Sequence, residues 1–235
     1  MSDGFPNKPK ILRGAFVEFG LSLPPLVVVF QFNPMQLTRN RGLTFAAPNA
    51  EPGAGGAAAP TRTIRQFHGQ FSSLLDLQKE QLVTVSEQTI GFELRLDATD
   101  KLDGQDTITE QFGIAPQIAT LELMTYPKEE SLIGAAAAAL LGQSGGFSFT
   151  RSANPPLILF VFGRKRVLPV NITSMNITET EFSTDLNPVR ATVSVALTVI
   201  EGKSVPYLYT KAMTEAMSVL NLANLPDIAN VVVPG

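Results

Sequence analysis

The 235-residue chain is predicted to be mainly β, a barrel or sandwich with one packed helix. Three observations carry that prediction: long stretches alternate with period two, turn residues punctuate them, and helical spacing is the minority pattern. "FELRLD" sets Phe92, Leu94 and Leu96 on one face, with Glu93, Arg95 and Asp97 on the other. "RATVSVALTVIE" sets Ala191, Val193, Val195, Leu197 and Val199 against Thr192, Ser194, Ala196 and Thr198.

The remaining elements follow in order. Earlier strands are expected at Ala15–Phe19, at Leu26–Phe32 and around Thr61–Phe67. "PPLILFVFG" is apolar on both faces and bounded by Pro156 and Gly163, as a central strand would be. "RVLPVNITSMNITETEF" alternates, but its apolar phase slips between Ile172 and Met175, which predicts a bulge near Ser174. In "PQIATLELMTY" Pro116 suits a first helical turn, Ile118, Leu121 and Met124 share a face, and Pro127 ends the segment. The tail "YLYTKAMTEAMSVLNLANL" carries Leu208, Met213, Met217 and Leu220 on one stripe, predicting an amphipathic helix docked on the domain or on a neighbour.

Two low-complexity segments interrupt the pattern. "AAPNAEPGAGGAAAP", 46–60, has the Gly, Pro and Ala content of a flexible exposed loop, and "GAAAAALLGQSGG" lies within a helical or linker insertion at 131–150. The expected organisation is a β domain over 1–204 with these two insertions, followed by a helical tail over 205–235.

Composition narrows the function. Apolar residues make up 44% of the chain and charged residues 17%, against about 25% charged in ordinary soluble domains. So low a charge favours a surface buried against other chains. The net charge of −3 lacks the basic excess of a nucleic-acid binder. With no cysteine, thiolate metal sites, disulfides and cysteine nucleophiles are excluded. The start "MSDGFPNKPK" lacks the apolar core of a signal peptide, and "LIGAAAAALLG" is shorter than the roughly 20 residues that span a bilayer. Synthesis in the cytoplasm without membrane insertion is the expectation.

Reactive groups are sparse. His68 is the only histidine, flanked by glycine and placed between two phenylalanines, and is expected to be exposed or interfacial rather than catalytic. Asp97, Asp100, Asp103 and Asp106 recur at threes, a spacing that does not fit a calcium loop and reads as a solvated strand exit. "FGRKRV" reads as a solvated hairpin tip. Asn171 and Asn176 open two Asn-x-Thr sequons within a strand. No phosphate loop or dinucleotide fingerprint follows any strand. No catalytic residue, metal ligand or cofactor is therefore predicted, and the chain is expected not to be an enzyme.

What stands out instead is a pair of Asn-Pro motifs. In "VVVFQFNPMQLTRNR" Asn33-Pro34 ends a strand, because proline has no N–H for the ladder and biases its predecessor away from helix. In "DLNPVRA" Asn187-Pro188 closes a hairpin and places Arg190 at the start of the last long strand. Both read either as ordinary turn chemistry or as contacts between subunits, with Arg39, Arg41 and Arg190 nearby as further contact candidates.

"FQFNPMQLTRNR" also resembles the N-terminal signature of tube-type proteins of contractile injection systems, the phage-tail-like particles. Three more blocks follow in the order of that family. "FELRLDATD" resembles its strand running into an Asp-Thr-Asp-like turn, with Ala98 inserted. "NPPLILFVFG" resembles its proline-led strand, with Phe162 where the family often has Trp. "VNITSMNITETEFSTDLNPVRATVSVALTVIE" resembles its closing hairpin. The four blocks lie in that order between Phe30 and Glu201 and together comprise 63 of the 235 residues.

The resemblance implies a small antiparallel tube-type β-barrel with one flanking helix and a C-terminal helical tail, assembled as a homo-hexameric ring around a channel. It implies adjacent tube, spike or hub, and baseplate proteins as partners. It also implies a particle that stays in the cytoplasm or is released. Members are inner-tube subunits or baseplate adaptors that start the tube. The adaptors often carry a LysM module, which this chain does not show, so peptidoglycan binding is not carried over. The added segments at 46–60 and in the tail favour the junction ring over an inner-tube or tube-terminating subunit. In a different class stands a solitary ligand-binding β-sandwich, whose cue of aromatic-rich loops is weak in a chain with no Trp and 3 Tyr. On the ring reading, Arg190→Glu or loss of the tail impairs incorporation while the monomer still folds.

Overall fold

A computed structural model describes residues 12–20, 25–48, 63–127 and 154–221. Nearly all of the 46–60 insertion, the 131–150 insertion and the last part of the tail lie outside the described residues. The strands are β1 (Ala15–Glu18), β2 (Val27–Val29), β3 (Leu37–Asn40), β4 (Leu43–Ala46), β5 (Leu82–Val85), β6 (Thr89–Asp97), β7 (Ile158–Val161), β8 (Val167–Phe182) and β9 (Pro188–Val199). Helices are α1 (Ile64–His68), α2 (Leu74–Glu80), α3 (Thr99–Asp103), α4 (Thr107–Phe112), α5 (Ala115–Leu123) and α6 (Val205–Leu220). The chain divides into two compact units, Met1–Thr38 with Thr89–Gly235, and Arg39–Gln88. The 1–204 domain expected from the sequence spans both.

The first unit is built on a sheet of order β2-β1-β7-β8-β9-β6-β3, in which sequence neighbours are often far apart. Its frame is the antiparallel trio β8, β9 and β6. Alternation fixes their register, since a slip of one residue would turn every apolar side chain to water. β6 pairs with β9 from Thr89↔Thr198 to Asp97↔Arg190, so the apolar sets of both strands share one buried face. The expected bulge is present: the β8 register shifts between Ile172 and Ser174, and the Thr173 hydroxyl donates to the Ala196 carbonyl at 3.0 Å.

The core centres on Phe16, Phe30, Phe92 and Phe160, whose ring centroids lie 5.1–6.4 Å apart in edge, tilted and stacked pairs. This cluster bends the sheet. Phe30 follows β2 and Phe92 belongs to β6, near the opposite end of the sheet, yet their rings are 5.9 Å apart. Gln31 fastens the same junction. Its side-chain amide donates to the Asp97 carbonyl at 2.7 Å and accepts from the Asp97 N–H at 2.9 Å, imitating one rung of a ladder. The chain is thus mainly β, but among the described residues no backbone pairing closes the sheet into the expected barrel. Between the two strand ends the contact is made by a side-chain amide and packed rings.

Around the sheet, α5 buries Ile118 and Leu121, with Met124 just beyond, as its spacing requires. α6 is seated differently from the expected apolar stripe. None of its residues is buried; Thr210 Oγ1 accepts from Val167 N–H at 3.0 Å and donates to Val167 O at 2.7 Å, and Tyr209 donates to Arg164 O at 2.8 Å. The basic turn of "FGRKRV" is a hairpin tip as expected, with Gly163 at φ 71°, and it forms part of this helix seat. The aspartate run is solvated as expected, with Asp100, Asp103 and Asp106 exposed, but it is helical rather than a loop. Asp106 caps α4, and α3 and α4 occupy the segment after β6.

In the second unit β4 and β5 form a two-stranded antiparallel sheet with Leu43, Phe45, Val83 and Val85 exposed on one face. Phe67 alone is buried among its described residues, edge-on to Phe71 at 5.0 Å. The strand expected around Thr61–Phe67 is, in its described part, the helix α1. Thr63 and Gln66 form a reciprocal capping box, and that local bonding overrides the β-favouring composition. His68 is exposed, with the Gln81 amide 3.0 Å from its Nε2.

Candidate functional site

The non-core face of β6, β9 and β8 is polar, and the register aligns it into rows. Gly91, Ala196 and Ser174 lie abreast across β6, β9 and β8, then Glu93, Ser194 and Asn176, then Arg95, Thr192 and Thr178, and finally Asp97, Arg190 and Thr180. With the Asn33-Pro34 turn at its rim, this face forms an open concavity of about 1580 Å³. Two acids, Glu93 and Asp97, offset two bases, Arg95 and Arg190, and the rest of the rows is hydroxyl, amide or small. Such a surface is wettable and nearly neutral.

Asn33 does not act locally at its turn. Its Oδ1 accepts from the Gly14 N–H at 2.9 Å and its Nδ2 donates to the Leu12 carbonyl at 2.8 Å, tying the strand exit to the segment entering β1. Gly14 has no room for a side chain: a Cβ there would stand 2.6 Å from the Phe30 ring. The motif "FQFNP" therefore has separate duties for Phe30, Gln31 and Asn33 in one closure.

The second motif works the same way. Asn187 donates through Nδ2 to the Gln111 carbonyl at 2.7 Å, while Pro188 O accepts from the Ile114 N–H at 2.9 Å. Gly113, at φ 58°, lets this contact form, since a Cβ there would lie 2.1 Å from Pro188 O. The hairpin tip is thereby pinned to the α4–α5 junction.

Arg190 holds the corner of the polar face. Its Nε donates to Asp97 Oδ2 at 2.8 Å and its Nη1 to Glu181 Oε1 at 2.7 Å. Burial pushes the Asp97 carboxyl up, but hydrogen bonds from the Thr99 hydroxyl and N–H and from Arg190 outweigh it and hold the pKa below the ordinary aspartate value. The hydrogen bond that Arg190 donates to Asp97, then the charges of Asp97 and Glu181, raise the Arg190 pKa in turn. Asp106 is also lowered, by the Thr109 hydroxyl and N–H that it accepts as helix cap.

Asn33, Pro34 and Arg190 thus line one surface, Asn187 and Pro188 anchor its hairpin, and Arg39 and Arg41 belong to the Arg39–Gln88 unit. Gln31, Glu93, Arg95, Asn176, Thr180, Thr192 and Ser194 share the concavity but were not candidates from sequence. Alternation places them opposite the core, but only the cross-strand register shows that they form rows. Among the described residues no cluster of three or more His, Cys, Asp or Glu could hold a metal ion, and no helix is long and apolar enough to cross a membrane. No family model matches the chain, and no curated protein matches it.

Proposed function

We propose that this chain is a structural ring subunit of a contractile injection particle, joining the spike or hub to the inner tube and starting tube assembly. The observation that carries this reading is the polar face of β6, β9 and β8: rows of hydroxyl and amide side chains in which Glu93 and Asp97 offset Arg95 and Arg190, suited to lining a passage without retaining what moves through it. The order of the four sequence blocks that resemble the tube-type family supports it. The curled sheet, fastened by Gln31 and the phenylalanine cluster, serves as the tube-type barrel of each subunit. Copies meet through heterologous contacts that close into a hexameric ring, with the polar faces inward.

Light scattering on the purified chain, together with electron microscopy of particles, tests the proposal. Rings present at a few copies per particle are expected. Copies in far greater number would make the chain an inner-tube subunit, and a strict monomer missing from particles would overturn the ring reading altogether.

A further inference from the structure

β2 stands at one end of the sheet, with β1 on one edge and α5 beside the other. Its ladder to β1 uses alternate residues: Phe30 N–H donates to Gly14 O at 2.8 Å and Leu26 O accepts from Glu18 N–H at 2.9 Å, with Val28 opposite Phe16 between them. By antiparallel alternation, the backbone groups of Val27 and Val29 then point away from β1, and no other described strand pairs with them. Their side chains are 47% and 53% exposed, whereas Val28 is buried in the core.

Between this edge and α5 runs a groove of about 370 Å³, walled by β2 and by Pro116, Gln117 and Thr120. Arg13 and Lys101 also line it, as does Gln31, and no carboxylate does. Both cations lie toward the Gln31 end, because Arg13 precedes Gly14, the partner of Phe30, and Lys101 follows the Asp97 that Gln31 holds. Asp106 is the acidic group whose charge is felt with that of Lys101. On the α5 wall Gln117 Oε1 is buried without a hydrogen-bond partner, an acceptor left waiting for a donor.

We infer that this groove takes an extended segment of a partner protein as an added strand on β2. The segment carries apolar β-branched side chains at alternate positions and an aspartate or glutamate at the Arg13–Lys101 end. Backbone bonds to Val27 and Val29 supply the pairing, Gln117 Oε1 accepts one N–H of the guest, and the two cations set its direction. The inference does not depend on the ring reading.

The test is fluorescence polarisation on the full chain with an end-blocked, fluorescein-labelled peptide, Thr-Val-Thr-Val-Thr-Val-Asp-Glu. Saturable binding is expected, weakened about tenfold when Asp-Glu becomes Asn-Gln and similarly in the doubly substituted R13E/K101E chain. N-methylation of alternate peptide residues should abolish it in one of the two phases, since only one edge of the guest meets β2. Gln117→Leu should weaken binding while the melting temperature is kept or raised, which separates recognition from folding. Equal binding of the neutral peptide, no binding at all, or binding only of an unblocked peptide through its terminal carboxylate would each overturn the inference. So would a change of oligomeric state in R13E/K101E without peptide binding, which would make a second copy the occupant.

Discussion

Gly14 and Asp97 show how closely single positions are constrained. A methyl group at Gly14 would press on Phe30, a ring that is 1% exposed and packed on three others, so it has no free space to retreat into. Gly14→Ala should cost about 1–3 kcal/mol in chemical denaturation. Asp97 makes its contribution through pH. Its folded pKa lies below the unfolded value, so its share of stability is complete above the unfolded pKa, about 3.9, and is lost as pH falls through the depressed folded value. Asp97→Asn should therefore lower stability near neutrality and flatten its acid dependence below about pH 5, measured by urea titration across pH. Arg190→Glu would set a third carboxylate between Asp97 and Glu181. It should destabilise the monomer, in contrast to the intact folding expected of a residue that only contacts other chains.

Among the elements, those with strong periodicity were legible and those set by short-range bonding were not. β6 and β9 display their faces letter by letter, α5 shows its three apolar positions, and the slip in β8 marks its bulge. The helix α1 hides behind β-favouring residues, although Thr63 and Gln66 already spell a capping box. The tail helix was legible as a helix but not in its manner of attachment. An apolar stripe suggests burial, whereas α6 is held by Thr210 and Tyr209 on the backbone of residues 164–167. Thr210→Val should strip two hydrogen bonds worth about 0.5–1.5 kcal/mol each. Hydrogen exchange should accelerate at Val167 and through α6 while the amides of β6 and β9 remain protected, because the helix contributes no buried residue to the core.

For the molecule as a whole, the mainly β class was legible and the closure of the sheet was not. No local pattern connects Gln31 to Asp97, 66 positions away. The amide bridge and the meeting of Phe30 with Phe92 arise only once the strand order is known. Gln31→Ala should leave an unpaired backbone N–H and C=O at Asp97 and lower stability by about 1–3 kcal/mol. Nuclear Overhauser contacts between the Phe30 and Phe92 rings should weaken with it, while those within the β6–β9 ladder persist. The polar rows were half legible in the same way: alternation names the residues, and only pairing lines them up.

The strand order also has a consequence for biosynthesis. β1 finds its second neighbour in β7, and Phe16, Phe30 and Phe92 obtain their fourth ring only when Phe160 has left the ribosome. Throughout most of translation the nascent chain carries three large aromatic groups and several unfinished β edges, the condition in which polypeptides stick to one another. A chain cut short before Phe160 should therefore self-associate where the full chain does not, which light scattering on the two would show.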